Sequence, residues 1–315
     1  MVPTDLILAG AVLLLALIVD RLIGDPHSGL HPVALVGRFI GWWGQPERYP
    51  PWFQRAAGVV FWFATAIVFA LPFFLFGKYA PWLVFLIGAP FFLKCCFAWR
   101  SLEEHALGVV QALDSGVDAG RDRVKMMVSR DTAALDPEHI RSAAYESMTE
   151  NLNDSIVAPL LYYTVFSLWG LGLGAAAVFR AANTMDAMLG YKDERIRLGW
   201  FSARMDDIFG YIPARITTAY LLAWFAVKGT FAPAWKTMVR DGKKRPGFNG
   251  GIIMAAMAGG CGIRFEKPGV YTIGDGTRSL AREGGAAVLS AVRAVTLAFA
   301  ATAAGTLILL AWLIL

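Results

Sequence analysis

The chain has 315 residues, of which 57% are hydrophobic and only 17% are charged. Soluble domains average about 25% charged residues, so this composition, with a mean hydropathy of +0.51, excludes an ordinary soluble protein and indicates an integral membrane protein. The net charge of +5 comes from basic residues spread over loops beside apolar segments, which inside-positive topology explains. We therefore expect no nucleic-acid partner. No linker or repeat divides the chain, which predicts a single polytopic domain over residues 1–315.

Apolar segments in chain order predict the membrane topology, since a spanning helix needs about 20 mostly apolar residues. Four segments are the candidates: Leu6–Val19, Gly58–Phe76, Trp82–Trp99 and Ala294–Leu315. Two others are interrupted, Ile156–Phe179 by Pro159 and Ile208–Val227 by Arg215. If these two do not cross, every polar stretch lies on one basic side. We therefore predict an all-α integral membrane protein, a helical bundle of four to six apolar segments, some re-entrant or non-spanning.

The polar stretches between these segments are predicted to form helical insertions at about residues 100–155, 180–207 and 228–293. Because these stretches hold most of the Lys and Arg residues, the positive-inside rule places them in the cytoplasm. The expected location is the cell (plasma) membrane, with a multi-pass chain and a polar site that faces the cytoplasm. The oligomeric state is not indicated by the sequence.

A helix start is predicted at Asp136-Pro137-Glu138, because Asp caps a first turn and Pro fits the first helical position. The helix should run to about Leu152. At about 3.6 residues per turn, four side chains then share one face: Glu146, Glu150, Asn153 and Asp154. Stacked like charges weaken a helix by a few tenths of a kcal/mol, so we expect a cation or a donor-rich ligand here, and Mg²⁺ fits because it prefers oxygen ligands. A solvated helix face is the alternative.

Two further polar groups flank this helix. Arg130-Asp131-Thr132 precedes it and offers a guanidinium fork for phosphate or carboxylate, although a surface turn is the alternative. Asp206-Asp207 follows Arg204, and adjacent like charges need a counter-ion, either a metal or Arg215 two helical turns on. Arg215 lies in an apolar stretch, where an ionisable residue indicates function. A structural buried ion pair is the alternative for this group.

A basic loop at residues 243–249 leads into a helix of small residues that starts near Gly250. Backbone N–H groups at a helix start bind phosphate, which makes this loop a candidate phosphate site. The loop lacks the Lys-Ser/Thr ending of a P-loop. A basic patch at the membrane surface is the equal alternative.

Read in order, the polar motifs resemble the CbiB/CobD family of cobalamin biosynthesis, the membrane-bound adenosylcobinamide-phosphate synthases. The resemblance covers most of the chain, and its specificity comes from the order of many short motifs. These motifs are Gly24-Asp25-Pro26…His31-Pro32-Val33, Arg130-Asp131-Thr132, Glu146…Glu150-Asn151…Asp154, Asn183-Thr184-Met185-Asp186, Gly190-Tyr191-Lys192, Ala203-Arg204…Asp206-Asp207, Ile212-Pro213-Ala214-Arg215 and Glu266-Lys267-Pro268-Gly269…Tyr271.

The chain departs from the family pattern at two points. Ser155 follows Asp154, where the family usually has Gly. The loop before Met254 keeps Asn249 and Gly251 and loses a Pro, which puts the rigidity of the loop in doubt more than its identity.

The resemblance implies an amide-forming ligase that joins adenosylcobyric acid, a corrinoid substrate, to (R)-1-amino-2-propanol or its O-phosphate, with ATP and Mg²⁺. Other membrane-bound cobalamin-assembly enzymes are the implied partners. Three groups of residues are assigned on this basis. The Mg²⁺ ligands are Glu146, Glu150, Asp154, Asp206 and Asp207. The substrate and phosphate ligands are Asp25, His31, Arg130, Thr132, Asn151, Asn183, Lys192, Arg204, Arg215 and Asn249. The acids with a catalytic role are Asp131 or Asp186 as proton acceptor, together with Glu146 and Glu150.

Three other functions compete with this interpretation. A non-catalytic, AmpE-like signalling protein would have lost the acidic motifs, which this chain keeps. A transporter subunit would distribute polar residues over several spans, whereas Gly58–Phe76 and Ala294–Leu315 contain no charged residue. A lipid phosphotransferase would carry an Asp-Gly-x₂-Ala-Arg pattern, of which only Ala203-Arg204…Asp206 is present.

Overall fold

The fold comes from a computed structural model that describes residues 3–25 and 31–314, so Pro26 of the first motif lies outside the described residues. Nearly all regular structure is helical, with one short hairpin. The helices are α1 (Pro3–Ile23), α2 (Pro32–Trp43), α3 (Gln54–Tyr79), α4 (Trp82–Lys94), α5 (Trp99–Ser115), α6 (Val117–Lys125), α7 (Pro137–Leu152), α8 (Ala158–Ser167), α9 (Gly172–Leu189), α10 (Trp200–Val227), α11 (Phe231–Asp241), α12 (Gly250–Cys261) and α13 (Glu283–Ile314), and the strands are β1 (Phe265–Lys267) and β2 (Tyr271–Ile273).

Four helical segments are long and apolar enough to cross a membrane: Asp5–Ile23, Gln54–Tyr79, Trp82–Ser115 and Glu283–Ile314. Each contains or overlaps one of the four predicted spans. The two interrupted segments, now α8–α9 and α10, do not meet the same criteria of length and hydropathy among the described residues. The prediction of an all-α integral membrane protein is confirmed.

Contacts divide the described residues into two compact units. Unit 1 comprises those within 1–98, 154–210 and 300–315, and unit 2 those within 99–153 and 211–299. Each unit is therefore assembled from separate stretches of chain. The prediction of one polytopic domain with three insertions stays a prediction.

In unit 1, α3 packs closely against the segment before α10 and against α9. A Cβ on Gly58 would lie 2.1 Å from the Leu198 carbonyl oxygen, so only glycine permits this approach. Two large buried side chains make their polar contacts within the helical packing. Trp43 donates its indole N–H to Thr65 Oγ1 at 3.1 Å, and the Tyr163 hydroxyl donates to the Ala9 carbonyl at 3.0 Å.

In unit 2, α5, α6 and α7 share an apolar core that includes Val109, Val124 and Ile140. The helix α12 is buried along its whole length. A Cβ on Gly259 would lie 2.4 Å from the Pro233 carbonyl oxygen, which shows how closely α11 covers it. The hairpin pairs β1 and β2 antiparallel, and the Glu266 backbone N–H donates to Ser142 Oγ of α7 at 2.7 Å.

The start of α7 is as predicted, because Asp136 Oδ1 accepts from the His139 backbone N–H at 2.9 Å. The helix also ends at Leu152 as predicted. The next five residues, Asn153–Val157, form a wider turn of π-helix geometry. The spacing of about 3.6 residues that placed Asn153 and Asp154 on the face of Glu146 does not apply beyond Leu152. Asn153 Oδ1 instead accepts from the Thr217 hydroxyl at 2.9 Å.

Candidate functional site

A small polar cavity in unit 2 contains the largest share of the motif residues. Its volume is about 290 Å³, and α7, the loop before it, the basic loop and the hairpin form its walls. We call it the Glu146 cavity. The residues that line it are Met127, Val128, Ser129, Arg130, Glu146, Ser147, Glu150, Asn151, Arg245, Pro246, Lys267, Val270 and Tyr271.

Glu146 is buried and saturated with donors. Its Oε2 accepts from Arg130 Nη2 at 2.5 Å and from the Tyr271 hydroxyl at 2.7 Å, and its Oε1 accepts from Ser142 Oγ at 2.6 Å. A buried carboxylate needs such compensation, because an unpaired one costs several kcal/mol. This one carboxylate therefore contacts the loop before α7, α7 itself and the hairpin.

Glu150 lies one turn further along α7 and forms an ion pair with Arg245 of the basic loop. This loop approaches α12 closely, since a Cβ on Gly251 would lie 2.3 Å from the Gly242 carbonyl oxygen. Asn151 also lines the cavity and donates from Nδ2 to the Ser147 carbonyl at 2.9 Å. The two stacked glutamates therefore have arginine guanidinium groups as counter-ions. The sequence predicts a cation or a donor-rich ligand here, with Mg²⁺ as a fitting cation.

The cavity also contains two groups whose proton affinity is shifted. Burial, followed by the neighbouring Arg130, lowers the pKa of Lys267. Burial, followed by the Glu146 carboxylate, raises the pKa of Tyr271. Nη1 of Arg130 is buried and has no hydrogen-bond acceptor among the described residues. A buried donor without an acceptor is uncommon, and a bound water or ligand is the usual explanation.

The other motif residues of unit 2 lie outside this cavity lining. Asp131 is exposed, and its Oδ1 accepts from the Ala133 backbone N–H at 2.9 Å, as in a surface turn. Thr132 is buried. Arg215 donates to Asn249 Oδ1 at 2.9 Å and to the Phe248 carbonyl at 3.1 Å. The structure thus brings Arg215 and Asn249 together, in a contact that fixes the end of the basic loop.

In unit 1 a different group of acids lies close together on α9, α10 and the π turn. Asp206 Oδ1 accepts from Asn183 Nδ2 at 3.2 Å. Burial raises the pKa of Asp206 well above its usual range, and the carboxylates of Asp154 and Asp186 raise it further. A protonated Asp206 relieves this repulsion between like charges.

Asp25 and His31 belong to a second group in unit 1. Asp25 forms an ion pair with Lys94, which lies 3.2 Å from Asp20 Oδ1. His31 caps α2, with Nδ1 accepting from the Val33 backbone N–H at 3.3 Å. Burial lowers the pKa of His31. Because Nδ1 is the acceptor, the neutral ring carries its proton on Nε2, 4.0 Å from Asp25 Oδ1.

The remaining predicted residues of unit 1 lie at its surface. Arg204 is mostly exposed, and its Nη1 is 3.9 Å from Asp207 Oδ2. Lys192 is exposed in the connection between α9 and α10. At these positions the described contacts are those of solvated charges, which contribute little to stability.

No group of three or more His, Cys, Asp or Glu residues in the described part of the chain is arranged to hold a metal ion. Glu146 and Glu150 also have arginine partners. A cage built from protein ligands alone does not fit this donor set. Mg²⁺ commonly takes only one or two carboxylates and shares its remaining positions with water and substrate phosphate, and the residues present fit that kind of binding.

Several residues of these groups were not singled out by the sequence analysis. Arg245 was included only as part of the basic loop, and Lys267 and Tyr271 only as parts of a motif. Lys94 and Arg180 were not considered as site residues, although a charged residue next to an apolar segment is a usable signal. Arg180 is partly buried, and its Nη1 donates to Ser155 Oγ at 3.5 Å.

The relatives that this chain matches are similar to it over most of its length. The chain is 38% identical over 305 residues to the probable cobalamin biosynthesis protein CobD of Methanothermobacter thermautotrophicus, covering 95% of this chain and 98% of the relative. It is 40% identical to the probable cobalamin biosynthesis protein CobD of Thermococcus kodakarensis, covering 82% and 83%, respectively. The cobalamin biosynthesis protein CobD of Pelobacter propionicus is 36% identical, and 95% of each chain is covered. No solved structure matches the chain.

Residues 13–310 match the profile of the family described as CobD/Cbib protein. This match covers far more than half of the chain, and several curated relatives are more than 30% identical over most of their length. The chain therefore belongs to the CobD/Cbib protein family.

Proposed function

We propose that this chain acts in cobalamin biosynthesis as a ligase that joins adenosylcobyric acid to (R)-1-amino-2-propanol or its O-phosphate, with ATP and Mg²⁺. The observation that carries the proposal is the Glu146 cavity, where two arginine–carboxylate pairs line one small space. Both signs of charge are present at close range. Such a lining suits a small ligand that carries an amine together with a phosphate group.

The size of the cavity limits which substrate it takes. Ligand pockets for drug-sized molecules have volumes of about 300–1,000 Å³, and the Glu146 cavity, at about 290 Å³, lies just below this range. A corrinoid is far larger than such a space. The cavity is therefore assigned to the amino alcohol, or to the phosphate end of a co-substrate.

The charged groups of the cavity have separate roles in this proposal. Arg130, Arg245 and Lys267 bind phosphate oxygens, and the buried Nη1 of Arg130 is a donor ready to receive one. Glu146 is saturated by three donors and orients them. Glu150 is the more exposed carboxylate, at 33% against 3%, and is therefore the one that Mg²⁺ can reach. Mg²⁺, when bound with nucleotide, would neutralise charge that develops on the phosphate oxygens, with Glu150 as its nearest carboxylate ligand in the cavity.

The proposed reaction has two steps. The substrate carboxylate takes the γ-phosphoryl group of ATP to give an acyl phosphate and ADP, and the amine then attacks the carbonyl carbon while phosphate leaves and one amine proton passes to a base. Positional-isotope exchange in ATP tests the order of these steps. Exchange that requires the amine, and does not occur with adenosylcobyric acid alone, would contradict the acyl phosphate.

The direct test incubates the purified protein in detergent with adenosylcobyric acid, Mg-ATP and each of the two amines, and follows the product by mass. We expect an amide with at least one amine, and a loss of about 100-fold in kcat/KM for Glu150→Gln and for Arg245→Met. The matched control is the exposed pair Arg100–Glu104, for which Arg100→Met and Glu104→Gln should retain activity. A folded preparation that forms no amide with either amine would remove the synthase proposal.

A further inference from the structure

A cavity in unit 1 lies at the ends of three candidate membrane spans. Its volume is about 440 Å³, and its lining includes Asp5, Lys78 and Trp82. Asp5 begins the first candidate span, Lys78 is the second-last residue of the next, and Trp82 begins the third. The cavity therefore lies at the level where the apolar part of these helices ends, which is the position of lipid headgroups. We call it the head cavity.

The charged and aromatic residues of the head cavity match the chemistry of that level. Asp5 and Lys78 are the charged residues of its lining and have opposite signs. Trp82 and Trp169 are 65% and 66% exposed, and Trp is enriched at the membrane–water interface. Such a lining is complementary to a headgroup that has both a phosphate and an amine.

A wholly apolar groove of about 560 Å³ adjoins this cavity, and we call it the tail groove. Phe74 and Leu171 line both spaces, so the two lie side by side. Along α3 the groove runs from Phe74 back to Trp62, which is 12 residues and about 18 Å at 1.5 Å per residue. One leaflet of a bilayer has a hydrocarbon thickness of about 15 Å. The groove therefore has the length of one acyl chain.

We propose that unit 1 holds a glycerophospholipid with a zwitterionic, amine-bearing headgroup, whose phosphate contacts Lys78, whose amine contacts Asp5 and one of whose acyl chains lies in the tail groove. The proposal does not depend on the reaction proposed above. A lipid is favoured over a soluble phosphate compound because an apolar groove of leaflet length lies directly beside the polar cavity.

The test measures lipid binding by native mass spectrometry of the lipid-stripped protein in detergent. The probes are phosphatidylethanolamine, phosphatidylglycerol and soluble glycerophosphoethanolamine. We expect phosphatidylethanolamine to bind most tightly, and the soluble headgroup to bind at least tenfold more weakly because it lacks the chain that fills the groove. Equal affinity for the soluble headgroup would overturn the proposal.

Two variants with matched controls test the two halves of the site. Lys78→Met should weaken phosphatidylethanolamine about fivefold, in line with one cationic residue at a membrane surface. Lys228→Met is its control, because Lys228 is also exposed at a helix end and lies over an aromatic ring. Ala175→Phe fills the tail groove and should abolish tight binding, whereas Ala301→Phe, on an exposed part of α13, should not.

Asp5→Asn tests the amine contact, and it should remove the preference for phosphatidylethanolamine over phosphatidylglycerol. Unchanged binding in Lys78→Met and Ala175→Phe, or equal binding of both lipids by the unaltered chain, would overturn the proposal. Because Asp5 and Lys78 are exposed and Ala175 is only partly buried, these substitutions leave the helical packing intact.

Discussion

Buried carboxylates are stabilised in one way in the Glu146 cavity of unit 2 and in another way around Asp206 in unit 1. In unit 2, Glu146 and Glu150 are each neutralised by a guanidinium group that a neighbouring loop brings in. In unit 1, Asp206 accepts only a neutral amide hydrogen bond among its described contacts, and its pKa rises because of burial and the nearby Asp154 and Asp186. A buried carboxylate is thus stabilised by a fixed positive charge in the first arrangement and by a bound proton in the second.

The largest effect is expected at Arg130, because Arg130→Ala leaves Glu146 charged and buried. Breaking such a buried pair costs about 3–5 kcal/mol, so the free energy of unfolding should fall by that amount, as measured by denaturant unfolding in mixed micelles. The double variant Arg130→Met, Glu146→Gln should recover most of it, because it buries no charge. The Gln oxygen still accepts from one of the two hydroxyls, Tyr271 or Ser142, and the other hydroxyl can turn to accept from the Gln NH₂ group. A cost no larger than that of Arg100→Ala would show that Glu146 does not depend on its arginine.

Asp206→Asn should change how stability depends on pH. The folded-state pKa of Asp206 is raised above its ordinary value of 3.8, so its stabilising contribution is complete below that value and is lost as the pH rises through the raised folded-state pKa. Each unit of raised pKa corresponds to about 1.4 kcal/mol.

The variant resembles the protonated acid, so it should be more stable than the unaltered chain at neutral pH. This difference should shrink as the pH falls towards 3.8. Thermal unfolding followed from about pH 5 to about pH 8 measures it. A difference that is the same at every pH would mean that Asp206 keeps its charge, as Glu146 does beside its arginine.

The helix caps of the two units also differ in charge. In unit 1 the cap of α2 is the imidazole of His31, whose pKa is lowered by burial. His31→Ala should therefore cost about 1 kcal/mol, and His31→Asn, which restores an accepting side chain, much less. Equal losses for both variants, measured by thermal unfolding, would show that the ring acts through packing and not as a cap.

The smallest effect is expected at Asp136, the exposed cap of α7. Asp136→Ala removes the acceptor of the His139 N–H and should cost about 0.5–1 kcal/mol, whereas Asp136→Asn should keep most of the cap. The hydrogen bond from the His139 backbone N–H is the main cause that lowers the pKa of Asp136. The contribution of Asp136 to stability should therefore be complete above the ordinary pKa of 3.8 and be lost as the pH falls through the lowered folded-state pKa. A difference between Asp136→Ala and the unaltered chain that persists at low pH would contradict this.

Much of the fold follows from local patterns in the sequence. Apolar length predicts all four candidate spans, and Asp136-Pro137 predicts the start of α7, because both depend on residues that are adjacent in the chain. The ion pairs of the Glu146 cavity could not be predicted in this way. Arg245 and Glu150 are separated by 95 residues, as are Tyr271 and Glu146 by 125, and no periodicity links positions so far apart.

The π turn after α7 shows a second limit of sequence reasoning. The regular spacing of Glu146, Glu150 and Asp154 predicts one acidic face, but the wider turn at Asn153–Val157 changes the direction of the side chains that follow. Pro159 is the local mark of a break, because it has no N–H to donate to the Ser155 carbonyl, which accepts from the Ala98 backbone N–H instead. A proline predicts a break in the helix but not the π geometry of the residues before it. The metal ligands assigned from that face remain a prediction, as do the other site assignments.

The burial of α12 has a consequence for how the chain enters the membrane during synthesis. Its 12 residues are all small or apolar, so its hydropathy resembles that of a spanning helix, but at about 18 Å it is too short to cross about 30 Å of hydrocarbon. Contacts such as that of Gly259 with Thr237 and Pro233 hide it inside unit 2 instead. Until α11 has docked, the apolar surface of α12 is exposed on the nascent chain. Because α11 precedes α12 in the sequence, the helix that covers α12 has already been synthesised when α12 leaves the ribosome.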